Sequence, residues 1–385
     1  MASDTGKFED LLEPLRMGDL HLKNRVAMAS LTRNRDNVPR ENLHVPYYRE
    51  RAGTGLILSE AALICPQGVE WTFMPGIYSD EHVEAWQKVT TAVHQEGGLI
   101  FCQLHHVGRV AHPDTRVQRE IAKPVPGPSA VAARGGKFRN VPGSPGYVQP
   151  TPIENPWEIV ELYGNAARLA REAGFDGVEL HNANGYLPMQ FLESHTVLAR
   201  LNEHFPYHRI GIKLAPCGGY NDEMDAQGRP STEAAKATYG PFCEKLDTLG
   251  LAYVQVMRWW KAYDLMIDGM PRGVEWDTIS YLRPILQNTL LFGNTGFTPA
   301  EADEWIKEGR VDAVVIGRPL LYNPDYVEKI RAGNVHLLYE EQAGDEYWWY
   351  KWRNNDKRDG YLNWAQRAII PGSLDRKDRL SLIHD

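Results

Sequence analysis

The sequence predicts an α/β protein, a closed (β/α)8 TIM barrel, on three observations. Eight short apolar runs recur along the chain: Val26–Met28, Leu56–Leu58, Leu99–Leu104, Gly177–Leu180, Ile210–Leu214, Tyr253–Val256, Leu290–Phe292 and Ala313–Ile316. The runs are predominantly apolar, as strands buried on both faces of a parallel sheet are. Longer helical patterns separate them, and strands alternating with helices indicate a barrel or an open doubly wound sheet. The barrel is preferred, because the Gly-rich dinucleotide fingerprint expected after the first strand of an open sheet is absent.

Punctuation supports each helix in turn. Ser79-Asp80-Glu81 opens one that stops at Gly97-Gly98. Asn155-Pro156-Trp157-Glu158 supplies a cap, a first-turn proline and a glutamate placed for a capping box, and Gly174 closes that helix. Thr298-Pro299-Ala300-Glu301 repeats the pattern, and Asn323-Pro324-Asp325 starts a helix that ends near Gly333. Residues 8–24 read as an N-terminal hairpin over the barrel floor, turning at Gly18-Asp19. Residues 107–154, rich in Gly, Pro and Arg, form a long connection after strand three. At the catalytic face of a barrel such a connection reads as a lid. The chain reads as a single domain over 1–385, with the barrel at about 25–333 and an aromatic C-terminal extension over 334–385. That extension carries Tyr347, Trp348, Trp349, Tyr350, Trp352, Tyr361 and Trp364, too many aromatics to stay wet, so they are expected over the barrel top or at a subunit contact.

Composition narrows the function. The 385 residues are 43% hydrophobic and 24% charged, enough apolar content for a large core. A net charge of −8 gives no basic footprint for nucleic acid. No run of apolar residues is long enough to span a membrane. The segment MASDTGKFEDLLEP lacks an apolar signal core, which points to the cytoplasm. Cys65, Cys102, Cys217 and Cys243 form no C-x-x-C pair, which argues against a disulfide framework or a metal site.

Barrel active sites lie at the C-terminal ends of the strands. After strand four comes His181-Asn182-Ala183-Asn184-Gly185-Tyr186. His181 and Asn184, three apart, would face one way on a helical turn. Two neutral donors side by side can grip one oxygen and polarise a carbonyl conjugated to an alkene. Tyr186 brings a hydroxyl suited to proton donation.

This string resembles the Old Yellow Enzyme family, and Gly177-Val178-Glu179-Leu180 before it and Gln190-Phe191-Leu192 after it extend the likeness. The resemblance runs from about residue 11 to 333. It also rests on Asn24-Arg25-Val26-Ala27-Met28-Ala29, Leu31-Thr32-Arg33, Glu60-Ala61-Ala62, Pro75-Gly76-Ile77-Tyr78-Ser79, Gln103-Leu104, Gly108-Arg109, Gly317-Arg318-Pro319 and Asn323-Pro324-Asp325. It implies an FMN-dependent ene reductase that takes hydride from NADPH and reduces an α,β-unsaturated carbonyl compound by a ping-pong mechanism. It implies a catalytic set of His181 and Asn184 on the substrate oxygen and Tyr186 as proton donor. Thr32, Ala62 and Gln103 would contact the flavin, with Thr32 donating to the C4 carbonyl. Lys213, where the family usually has Arg, would stabilise charge near flavin N1. Gly296, Phe297, Gly317 and Arg318 resemble the phosphate site, which barrel physics also puts after strands seven and eight. His105, Tyr347 and Tyr350 would line the substrate pocket. The partner is a small enone-type molecule, and the protein would be a monomer or homodimer.

The sequence also departs from the family. The usual R-x-D-x-(Y/W)-G-G-S-x-x-N-R stretch beyond Glu193-Ser194-His195 is missing, and the chain reaches strand five early. That puts the packing of the fourth βα unit in question. Ser30 replaces a common Pro, and His105 stands where yeast-type members carry a Trp. These departures leave open an alternative: a flavin enzyme of secondary metabolism that isomerises, dehydrogenates or cyclises a specialised metabolite. A flavin-binding scaffold without activity is a third reading, at odds with the intact His181, Asn184 and Tyr186.

Overall fold

The computed structural model describes residues 8–134, 141, 146–191, 194–221, 231–261, 264, 266–267, 269–340 and 356–362. All eight expected strands form. They are β1 (Val26–Met28), β2 (Leu56–Leu58), β3 (Ile100–His105), β4 (Gly177–Asn182), β5 (Ile210–Leu214), β6 (Tyr253–Met257), β7 (Leu290–Asn294) and β8 (Ala313–Ile316). Each pairs in parallel with the next, and β8 pairs with β1, so the sheet closes into a barrel.

A helix follows each strand: α1 (His44–Arg49), α2 (Asp80–Gln95), α3 (Pro156–Glu172), α4 (Ser194–Asn202), α5 (Thr232–Asp247), α6 (Thr278–Leu282), α7 (Pro299–Lys307) and α8 (Tyr326–Arg331). The Asn155 side chain accepts from the Trp157 amide at the start of α3, and Thr298 accepts from the Glu301 amide at the start of α7. Ser79 precedes α2 without a side-chain cap bond; its hydroxyl pairs with His82 Nδ1 at 2.6 Å instead.

Alternation along each strand sorts side chains into two layers. Val26, Met28, Ile57, Ile100, Cys102, Leu104, Val178, Leu180, Ile212, Leu214, Val254 and Val256 pack with the helices. The opposite parity (Ala27, Leu56, Leu58, Phe101, Tyr253, Phe292, Ala313 and Val315) forms a second cluster inside the barrel. Gln103, His105, Glu179, His181, Lys213 and Gln255 share that inward parity, so polar side chains are carried toward the axis.

The expected hairpin forms from Leu15–Met17 and Leu20–Leu22, turning at Gly18 with φ 60°. Met17, Leu20 and Leu22 pack against Ala252, Tyr253 and Phe292, which stoppers the barrel floor. The fourth βα unit is intact despite its missing stretch. Val197, Leu198 and Leu201 of α4 join the core, and Arg200 pairs with Glu161 of α3 at 2.9 Å.

The long connection after β3 contributes Val107, Val110, Ala111, Val125, Ala133, Tyr147 and Val148 to a cluster around Tyr186, as a lid should. In the C-terminal extension, Tyr361 is fully buried and stacks on Tyr47 of α1, ring centroids 4.3 Å apart. It therefore packs against a flanking helix. Arg35 holds this segment by donating to the carbonyls of Lys357 and Asp359. Tyr347, Trp348, Trp349, Tyr350, Trp352 and Trp364 lie outside the described residues, so the pocket role expected of Tyr347 and Tyr350 falls there too. Among the described residues no helix is long and apolar enough to cross a membrane.

Candidate active site

The site has a floor, a mouth and a loop end. The floor is a hydrogen-bonded chain across the barrel interior. The Ser30 hydroxyl donates to Gln103 Oε1 at 2.7 Å, Gln103 Nε2 donates to Glu179 Oε1 at 2.6 Å, and the Tyr253 hydroxyl donates to Glu179 Oε2 at 3.0 Å. Burial pushes the Glu179 carboxyl up from its usual range, opposed by the Lys213 charge and by the bonds from Gln103 and Tyr253. Burial pushes Lys213 down, opposed by Glu179. Each thus offsets part of the cost of burying the other, and replacing either would leave the remaining group buried without that compensation.

The mouth is built from the ends of β3 and β4. His105 and His181 rings lie 5.4 Å apart, and Tyr186 lies edge-on to both, at 4.4 Å and 4.9 Å. Burial, then Lys213, then His105 hold His181 well below the ordinary imidazole range, so it is neutral at pH 7. Burial, then Glu70, push the Tyr186 phenol well up. Among the described residues, His105 Nδ1, His181 Nδ1 and Asn184 Oδ1 are buried without a hydrogen-bond partner. Such atoms are costly unless something else satisfies them.

The helical turn expected between His181 and Asn184 does not form. His181 is on β4, while Asn184 and Gly185 both take left-handed backbone, φ 61° and 69°. Asn and Gly are the residues that tolerate this conformation, and the sharp reversal delivers Tyr186 back over the strand end. Asn221 Nδ2 donates to the Asn184 carbonyl at 2.6 Å, and Tyr147 of the lid donates to Asn221 Oδ1 at 2.8 Å.

The loop end follows β7. Thr295 and Gly296 have φ 88° and 72°. Arg258, just past β6, donates to the Thr295 carbonyl at 2.6 Å, forks onto both oxygens of Glu301 and lies 4.0 Å over the Phe297 ring. A Cβ on Gly296 would meet the Trp260 ring, and the left-handed backbone there favours glycine. Gly317 precedes a short helix, Arg318–Tyr322.

The structure thus joins His105, His181 and Tyr186 in one cluster, with Asn184 on the reversal between His181 and Tyr186, and bonds Gln103 to Glu179. It sets Gly296 and Phe297 at the end of β7, beside Gly317 and Arg318 at the end of β8, and these two strands pair. Ala62 is buried in a short strand beside Leu104 of β3, and Thr32 is half-buried beyond β1. Sequence reasoning missed Glu70, Arg258 and Asn221, and gave Glu179 and Ser30 no partner. Nothing local marks them, because each acts through a residue distant in the chain. Among the described residues no group of three His, Cys, Asp or Glu could hold a metal ion.

A closed parallel barrel with polar side chains gathered at the C-terminal ends of its strands is the architecture of a barrel enzyme. The NADH:flavin oxidoreductase / NADH oxidase family model matches residues 10–198. A probable flavin mononucleotide-dependent alkene reductase of Leishmania infantum is 34% identical over 362 residues, covering 86% of this chain and 93% of that protein. The old yellow enzyme from Trypanosoma cruzi superposes with TM-score 0.78 at 28% identity, covering 93% of this chain and 98% of that one. Morphinone reductase in complex with tetrahydroNAD superposes with TM-score 0.74 at 32% identity, covering 92% and 96%. The chain belongs to the Old Yellow Enzyme family of FMN-dependent oxidoreductases.

Proposed function

We propose that the protein reduces the activated C=C bond of an α,β-unsaturated carbonyl compound, drawing on NADPH in a ping-pong cycle. The observation that carries this reading is the mouth cluster: neutral His181, whose buried Nδ1 has no partner among the described residues, and the Tyr186 ring edge-on to it.

The donor set fits FMN. Thr32, Ala62, Gln103 and Lys213 would hold the isoalloxazine, and Gly296, Phe297, Gly317 and Arg318 the phosphate. Lys213 supplies a cation to the pyrimidine edge, and the Ser30–Gln103–Glu179 chain locks the Gln103 amide in one orientation. Held there, FMN would supply the hydride chemistry between nicotinamide and the substrate's β-carbon. His181 and Asn184 grip the substrate oxygen, which polarises the alkene and holds charge that builds there. A neutral imidazole suits this role, because it donates one hydrogen bond without surrendering a proton. Tyr186 delivers a proton to the α-carbon, and the lid residues around it exclude water. His105 shapes the pocket with a smaller, more polar wall than a Trp would.

The reading agrees with the alkene reductase named among the relatives and with the nicotinamide analogue bound by morphinone reductase. Its test is anaerobic turnover of candidate enones with NADPH and mass analysis of the product. Reduction consumes one NADPH per product and adds two hydrogens. A product isomeric with the substrate, formed without NADPH consumption, would move the assignment to a redox-neutral rearrangement.

A further inference from the structure

The Tyr186 hydroxyl donates to Glu70 Oε2 at 3.2 Å, joining the strand-four motif to the loop after β2. That loop is firmly held. Val69 and Trp71, on either side of Glu70, are 1% and 7% exposed and pack with Ala61, Leu63 and Met74. Gln118 Nε2 donates to the Gln67 and Val69 carbonyls, and the Val107 amide donates to the Gly68 carbonyl. Glu70 itself is half-buried, so it stands between solvent and the buried Tyr186 hydroxyl.

A phenol has one hydrogen. While Glu70 is a carboxylate, that hydrogen is committed to it and is withheld from substrate. When Glu70 is a carboxylic acid it donates to the phenol oxygen, and the Tyr186 hydrogen is released toward the pocket. The alternative, leaving a tyrosinate in a buried site beside a carboxylate, is opposed by burial and by Glu70 itself, the two largest causes of the raised Tyr186 pKa.

We propose that Glu70 is a positioning residue that orients and reprotonates Tyr186, completing a two-proton relay from solvent to the substrate α-carbon. The inference rests on the reading of Tyr186 as proton donor. Once the β-carbon has received its hydride, the α-carbon–hydrogen bond forms as the Tyr186 O–H bond breaks. In the same step the Tyr186 O–H bond re-forms with the Glu70 carboxylic proton, and the Glu70 carboxylate then takes a proton from water.

The test is the oxidative half-reaction of reduced holoenzyme with 2-cyclohexenone, followed by stopped flow across mixtures of light and heavy water. Wild type should give a bowed proton inventory, the signature of two protons in flight. Glu70→Gln should give a straight line and a rate lower by roughly 10²-fold, the lower end for a positioned acid. Its flavin content and reductive half-reaction should be unchanged. Its tyrosinate ultraviolet absorbance should also appear at lower pH, a signal that Tyr186→Phe removes. A straight wild-type inventory overturns the relay whatever the variants do. A Glu70→Gln enzyme with wild-type rate and a bowed inventory overturns it as well. If Tyr186→Phe leaves the oxidative half-reaction at full speed, the donor assignment itself falls, which is a distinct result.

Discussion

His105 and His181 stand side by side at the ends of β3 and β4, rings 5.4 Å apart, and the adjacent His106 is buried with them. Burial, then His106, bring His105 down to about 3, and burial brings His106 down to about 4. The folded chain keeps these imidazoles neutral while the unfolded chain protonates near pH 6.5. Their stabilising contribution is therefore complete above pH 6.5 and is lost as pH falls from there toward 4 and 3. Within that window each contributes a slope of about 1.4 kcal/mol per pH unit. His106→Gln should remove one such increment from the pH dependence of urea unfolding between pH 6.5 and 4.5. An unchanged slope would show that His106 is already protonated in the fold.

The purified protein should be yellow, with one noncovalent FMN per chain. Gly296→Ala should weaken FMN binding by at least about tenfold, an energy of about 1.4 kcal/mol. A methyl there meets Trp260 and must also bear a φ of 72°. Adding Trp260→Ala should restore only part of the affinity, because the backbone strain remains. Flavin fluorescence titration measures both. Wild-type affinity in Gly296→Ala would mean that this loop does not hold the phosphate.

Phenols should bind the oxidised enzyme and produce a long-wavelength charge-transfer band, because neutral His181 and Asn184 favour a phenolate oxygen over the flavin. Replacing both with Ala should abolish the band, since one oxyanion donor alone is worth about 3 kcal/mol. A band that survives in the double variant would put the oxyanion site elsewhere.

Tyr186→Phe should leave flavin reduction by NADPH nearly unchanged, since that half-reaction protonates no substrate carbon. The oxidative half-reaction with an enone should slow by roughly 10²–10⁴. Quinones, which take protons on oxygen, should slow less. Equal slowing of both half-reactions would give Tyr186 a shaping role instead of a donating one.

Much of this was legible in the sequence, and the reason differs by element. The eight strands were readable because each is buried on both faces and so is mostly apolar, the polar exceptions falling among the inward positions that carry the site. The caps at Asn155 and Thr298 were readable because a cap bonds its own helix two or three residues on. The His181–Tyr186 string was readable because its residues are contiguous. The local conformation was misjudged there: spacing alone suggests a helical turn, while the left-handed pair Asn184-Gly185 makes a reversal that only backbone geometry reveals.

Sequence by itself determined the barrel, the strand ends that carry chemistry and the residue types available there. Tertiary structure alone decided how those residues are wired. Ser30 reaches Gln103 across 73 residues of chain, Gln103 reaches Glu179 across 76, and Glu70 reaches Tyr186 across 116. No periodicity or cap signal encodes such contacts. They exist because barrel closure brings β1, β3 and β4 to one axis, where period-two alternation turns their polar side chains inward, and because it seats the loop after β2 beside the end of β4.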